Sequence, residues 1–262
     1  ACLVGSEMCI RDSLERLCDV SDQELLKAAD QLRTLMGENI FELIFQPALD
    51  EKTLPMKPDA AVAKGAAKGI NLLIGTNRDE GALFFASDSE LLPERKINEI
   101  LEEYMGKEAA EAAASLYPRS LKGHVDMMTD LIFWHPSVVF ASAQSRHASV
   151  FMYRFDWHAN SEHPPFNKAA HGLEIPFVFG NMDSLEQLTG TKAGEDTRQL
   201  AKQIQAAWVF FARSGNPSTD DVSWPDYHED SRKTLIFDQE IAIESDPYSE
   251  KRKLLTASNL QV

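Results

Sequence analysis

Two stretches of this sequence hold residue types that can move protons. Gly75-Thr76-Asn77-Arg78-Asp79-Glu80-Gly81 places adjacent carboxylates directly behind an apolar run, and Ala170-His171-Gly172-Leu173-Glu174-Ile175-Pro176-Phe177 places an imidazole downstream of a second one. In open α/β sheets reactive groups gather just beyond the carboxyl ends of strands. One acid and one histidine in such positions are two parts of a relay in which a carboxylate orients a base and the base activates a nucleophile. Taken singly, Glu80 reads as a solvated loop carboxylate and His171 as a structural histidine. His158, His163 and His171 together suggest a metal site, but their gaps of five and eight residues fit no common ligand spacing and no cysteine lies near.

The elements that must carry these loops are partly legible. Residues 70–75 (INLLIG) form a short branched apolar run ended by glycine, which predicts a buried strand, and 149–155 (SVFMYRF) predict a second one, rich in aromatic and branched residues. Residues 235–237 and 241–243 could pair as a terminal hairpin. Ser21 and Glu24 form a capping box, with Val20 and Leu25 as a hydrophobic staple. They start a helix that Gly37 should end. Short helical signals cover 59–68, and Ile97, Ile100, Leu101 and Tyr104 have helical spacing. Residues 125–147 read as a longer helix broken at His135-Pro136. From Asp196 a strong helix carries Leu200, Ile204, Trp208 and Phe211 on one face and closes at Gly215-Asn216-Pro217. Strands alternating with helices predict an α/β fold, yet two buried strands are too little sheet for so many helices.

Composition limits the partners. The chain has 262 residues with a formal net charge of −15, a surface that repels phosphate backbones and anionic lipid headgroups, so neither nucleic acid nor membrane is expected. No apolar stretch approaches the roughly 20 residues that span a bilayer. All three cysteines lie in the first eighteen residues, which points to a reducing compartment such as the cytoplasm. Residues 1–13 have no initiator Met, basic region or apolar core. They resemble a translated sequencing adaptor, and are set aside from the fold.

The motifs 45–55 (FQPALDEKTLP), 72–85 (LLIGTNRDEGALFF), 130–136 (DLIFWHP), 169–181 (AAHGLEIPFVFGN), 207–218 (AWVFFARSGNPS) and 224–227 (WPDY) resemble, in order and spacing, the C-terminal half of the type-B carboxylesterases, the bacterial para-nitrobenzyl esterases above all. The resemblance covers 14–262. It implies the C-terminal part of one α/β-hydrolase domain, an incomplete mixed sheet with covering helices, and hydrolysis of small carboxylic esters through an acyl-enzyme. No cofactor or metal is implied. Glu80 matches the acid of the family's Ser-Glu-His triad, chosen over Asp79 because it directly precedes Gly81, and His171 matches the base. The acid precedes the histidine, as the order Ser, acid, His in α/β-hydrolases requires. Glu174 matches an acidic position for which the resemblance implies support of the base, a helix-cap or surface role being equally open. Phe84, Phe85, Phe133 and Trp134 could line an apolar acyl or alcohol pocket or pack in the core. Trp208 and Phe211 are expected in the core.

The departure from the family is that no G-x-S-x-G and no HGG-type run occurs in the sequence. Ser214-Gly215 reads as a helix end. The expectation is a chain that carries acid and base without nucleophile or oxyanion hole, nearly inactive alone, its partner the missing N-terminal half of the same domain. The alternative is a non-catalytic carboxylesterase-like binding or adhesion module, against which the retention of both Glu80 and His171 speaks.

Overall fold

A computed structural model describes residues 19–36, 47–50, 52–85, 91–162 and 164–257, which fall into two units, Ala1–Gln46 and Pro47–Val262. Residues 1–13, Gly37, Phe45, Gln46, Glu51 and His163 lie outside the described residues. The described part of the first unit is helix α1, Asp22–Met36. The capping box is formed at its start: the Ser21 hydroxyl donates to Glu24 Oε2 at 2.7 Å, and the Glu24 amide donates back to Ser21 Oγ at 3.3 Å.

Among the described residues the second unit is built on a four-stranded mixed sheet in the order β1 (Leu72–Asn77), β2 (Val150–Phe155), β3 (Lys233–Phe237), β4 (Ala242–Ser245). The first three strands run parallel and β4 is antiparallel to β3, so the terminal hairpin forms and the sheet has twice the convincing strands of the sequence pattern. The helices in chain order are α2 (Pro58–Ala63), α3 (Glu94–Met105), α4 (Lys107–Ala113), α5 (Leu121–Met128), α6 (His135–Gln144), α7 (Ile175–Val178), α8 (Met182–Thr189), α9 (Glu195–Ser214) and α10 (Ser249–Ala257).

Strand alternation divides the sheet's two faces. Phe151, Phe155, Leu235 and Phe237 point to the face covered by α9, where they join Leu200, Ala201, Ile204, Ala207, Trp224 and Phe177 in one buried cluster. Trp208 and Phe211 are partly buried against it, in keeping with their expected place. Helix α6 packs on β1 and β2 from the other face. Gly215, at φ 75°, ends α9 in the left-handed conformation, so Ser214-Gly215 is a helix terminus.

The helix over 125–147 is not broken at His135-Pro136. Helix α5 passes into a π-helical turn, Thr129–Trp134, and then into α6 without interruption. Proline lacks the amide that would reach back one α-turn and its ring crowds that carbonyl. Widening the preceding turn, so that the His135 amide bonds Asp130 five residues back, accommodates Pro136 at the opening of α6.

Candidate active site

Strands β1 and β2 are in register with Asn77 opposite Phe155, so the loops that follow them leave the same edge of the sheet side by side. Backbone bonds join them: the Arg78 amide donates to Phe155 O at 2.9 Å and the Asp79 amide to Ala169 O at 3.0 Å. The loop after β1 turns at once into a single 3-10 turn, Glu80–Leu83, and the other loop presents His171.

Across this junction Nδ1 of His171 donates to Oε2 of Glu80 at 2.6 Å, though 91 residues separate them. Glu80 is buried, its side chain 7% exposed, while that of His171 is 44% exposed. The other carboxylate oxygen of Glu80 accepts the Asn77 amide at 2.7 Å, which fixes the acid against its own strand. Asp79 faces elsewhere and pairs with Nε of Arg78 at 3.2 Å. With Nδ1 committed to Glu80, Nε2 is the ring nitrogen left to act as base toward a third group. The hydrogen bond to Glu80 holds the His171 pKa above its ordinary value, burial working the other way and the charges of Glu80 and Glu174 adding to it.

Glu174 is bonded to Asn77 and not to the imidazole. Its Oε2 accepts from Nδ2 of Asn77 at 2.6 Å, and the same amide nitrogen donates to Ala170 O at 2.7 Å, one residue before the histidine. Burial pushes the Glu174 carboxyl up, opposed chiefly by the bond from Asn77. Asn77 therefore links Glu80, Glu174 and the His171 loop, and sequence reasoning passed over it. Its signal was available: a polar residue at the end of a buried strand, within the same GTNRDEG run.

The four aromatic candidates divide into two pairs. Phe84 and Phe133 lie beside the imidazole, with ring centroids 5.6 and 5.1 Å from that of His171 and 6.1 Å from each other. Phe85 is buried edge-on against His124, and Trp134 is buried against Tyr248. His158 contacts the carbonyl of Asp156 through Nδ1. Among the described residues no group of three or more His, Cys, Asp or Glu is placed to hold a metal ion, and no helix is long and apolar enough to cross a membrane.

A buried carboxylate bonded to an imidazole thus lies at the carboxyl edge of neighbouring parallel strands, and the fold that carries it is of the α/β-hydrolase class. The chain belongs to the carboxylesterase family, whose profile matches residues 4–255, a span that begins inside the segment set aside in the sequence. It is 57% identical over 245 residues to the para-nitrobenzyl esterase of Bacillus subtilis (strain 168), covering 94% of this chain and 50% of that protein. The structure of a thermophilic para-nitrobenzyl esterase superposes with a TM-score of 0.87 at 56% identity, covering 93% of this chain and 50% of the other. The carboxylesterase of Geobacillus stearothermophilus superposes with a TM-score of 0.73 at 29% identity, again over 93% and 50%. The chain thus spans about half the length of these relatives.

Proposed function

We propose that this chain supplies the acid, Glu80, and the base, His171, of a Ser-Glu-His triad that hydrolyses small carboxylic esters through an acyl-enzyme. The serine and the oxyanion-hole amides come from an N-terminal half of the same domain. The observation that supports this most is the 2.6 Å contact between a buried carboxylate and a half-exposed imidazole whose second nitrogen has no hydrogen-bond partner among the described residues. In the assembled site Nε2 of His171 removes the serine proton as the hydroxyl attacks the ester carbonyl, then delivers it to the leaving alcohol. Glu80 holds the Nδ1–H tautomer and stabilises the imidazolium that forms between those steps. Phe84 and Phe133 give the base an apolar flank against which an acyl or alcohol group can pack. No cofactor or metal takes part.

The triad works as a unit, so loss of the nucleophile removes roughly 10⁶ in kcat. The expected result is that turnover of an activated aryl ester by this chain equals that of its His171→Ala variant. A His171-dependent rate typical of an intact esterase overturns the split of the triad. Sequencing the source DNA upstream of codon 14 tests the same point: G-x-S-x-G and an HGG-type segment are expected there, and a substituted serine in that elbow points instead to a non-catalytic binding module.

A further inference from the structure

The turn that carries Glu80 is held from both sides. Behind it, the carboxylate receives the amide of Asn77 from strand β1. Ahead of it, the amide of Gly81 donates to Oγ1 of Thr129, the first residue of the π-helical turn, at 3.0 Å in a buried setting. That amide is one of the opening donors of a helical turn, which has no partner within the turn itself. The surroundings leave it no other position. A Cβ on residue 81 would lie 2.5 Å from the Val125 carbonyl oxygen and 2.9 Å from the Val125 Cα, so the turn sits on α5 at an approach only glycine permits.

The same π-helical turn reaches the other member of the pair, since Phe133 packs on the His171 ring. It is anchored by Asp130, whose carboxylate accepts from Tyr117 Oη at 3.0 Å and pairs with Nζ of Lys251 at 2.8 Å. One rigid element thus touches the backbone beside the acid and the face of the base.

We infer that Thr129 is a positioning residue: by accepting a hydrogen bond from the Gly81 amide, its hydroxyl oxygen fixes the depth at which the Glu80 carboxylate meets His171. This role rests on the pairing of Glu80 with His171 proposed above. Replacing the hydroxyl by a methyl group strands a buried amide, the turn shifts to relieve it, and the short carboxylate–imidazole bond lengthens. A residue that only filled space would be replaced by valine without effect on the imidazole.

The test is the titration of the His171 ring in the full chain, followed by ¹⁵N-edited NMR. Thr129→Val is expected to lower its midpoint, a partial loss of the neighbouring-charge and hydrogen-bond effects, while Thr129→Ser retains the wild-type value. Glu80→Gln must lower the midpoint further. If Glu80→Gln shifts it and Thr129→Val does not, Thr129 has no positioning role and the pair stands without it. If Glu80→Gln itself has no effect, the pairing fails and the inference fails with it. Amide exchange in the unaltered chain gives an independent readout should Thr129→Val not fold: Gly81 is expected to be protected like Asn77, and exchange at the rate of a free loop amide overturns the assignment.

Discussion

Glu80 and Asp79 are neighbours in the chain and turn their carboxylates to different partners, Glu80 to Nδ1 of His171 and Asp79 to Nε of Arg78. The difference separates two variants that a sequence comparison would treat alike. Asp79→Asn is expected to leave the His171 titration where it is, whereas Glu80→Gln returns it toward the ordinary imidazole value of about 6.5. The sign follows from the raised pKa. Stabilisation from this pair is fully present below the unfolded-state value and is lost as pH rises through the folded-state value. Histidine NMR across pH 5 to 9 checks both variants, and an effect of Asp79→Asn equal to that of Glu80→Gln would sink the assignment of partners.

Gly81→Ala should destabilise the second unit by about 1–3 kcal/mol, the cost of forcing an added methyl into a closed contact. The added carbon meets backbone, the Val125 carbonyl and Cα, and not the yielding end of a side chain. Urea denaturation followed by circular dichroism reads the change, and a variant as stable as the parent would show that α5 can withdraw without loss.

Asp130 gives the stability a pH dependence of its own. Burial pushes its carboxyl up to about 6, against the pull of Lys251 and the hydrogen bond from Tyr117. The folded chain therefore holds this proton more tightly than the unfolded chain, where an aspartate titrates near 3.9. Its contribution is full below about pH 4 and is lost as pH rises through about 6. The difference in unfolding free energy between the parent and Asp130→Asn should fall across that interval. A difference that stays level from pH 4 to 7 contradicts the raised value.

Arg154 and Asp156 form a buried bidentate pair beside the sheet, at 2.7 and 2.8 Å, each side chain 8% exposed. Arg154→Met leaves Asp156, among the described residues, with only Arg78 as a charged partner, at 3.8 Å, so a loss toward the lower end of the roughly 3–5 kcal/mol for breaking a buried pair is expected. Replacing both residues by apolar ones of similar size should recover much of it. Urea midpoints of the single and double variants decide the matter, and a double variant no better than the single one would show that the loss does not come from the stranded charge of Asp156.

The two loops that meet at the site were legible because each follows a strand with an apolar pattern and carries a long motif. Other features left no such trace. Strand β4 was legible only as far as the apolar residues 241–243 that mark its hairpin with β3; its exposed end carries no pattern. Pro136 reads as a break in any one-dimensional pattern, since the adjustment that admits it is a change of helical pitch over the six residues before it. Phe84 and Phe85 have the same chemistry and adjacent positions, but at the end of a 3-10 turn they point apart, one to His171 and one to His124. Thr129 carries no signal at all, because its importance lies in an amide 48 positions away. Helix α4, with the sequence KEAAEAA, lacks the large apolar residues that would mark its buried face.

The parallel pairing of β1 with β2 separates the Glu80–His171 distance from the length of the chain between them. Adjacent strands keep a spacing of about 4.8 Å whatever connects them, and the backbone bonds from Arg78 and Asp79 carry that spacing into the loops. Insertions or deletions at Gly106, where α3 and α4 are joined, can therefore accumulate without moving the carboxylate from the imidazole. Evolution, or a protein engineer, can remodel the surface between the two motifs while the pair keeps its gauge.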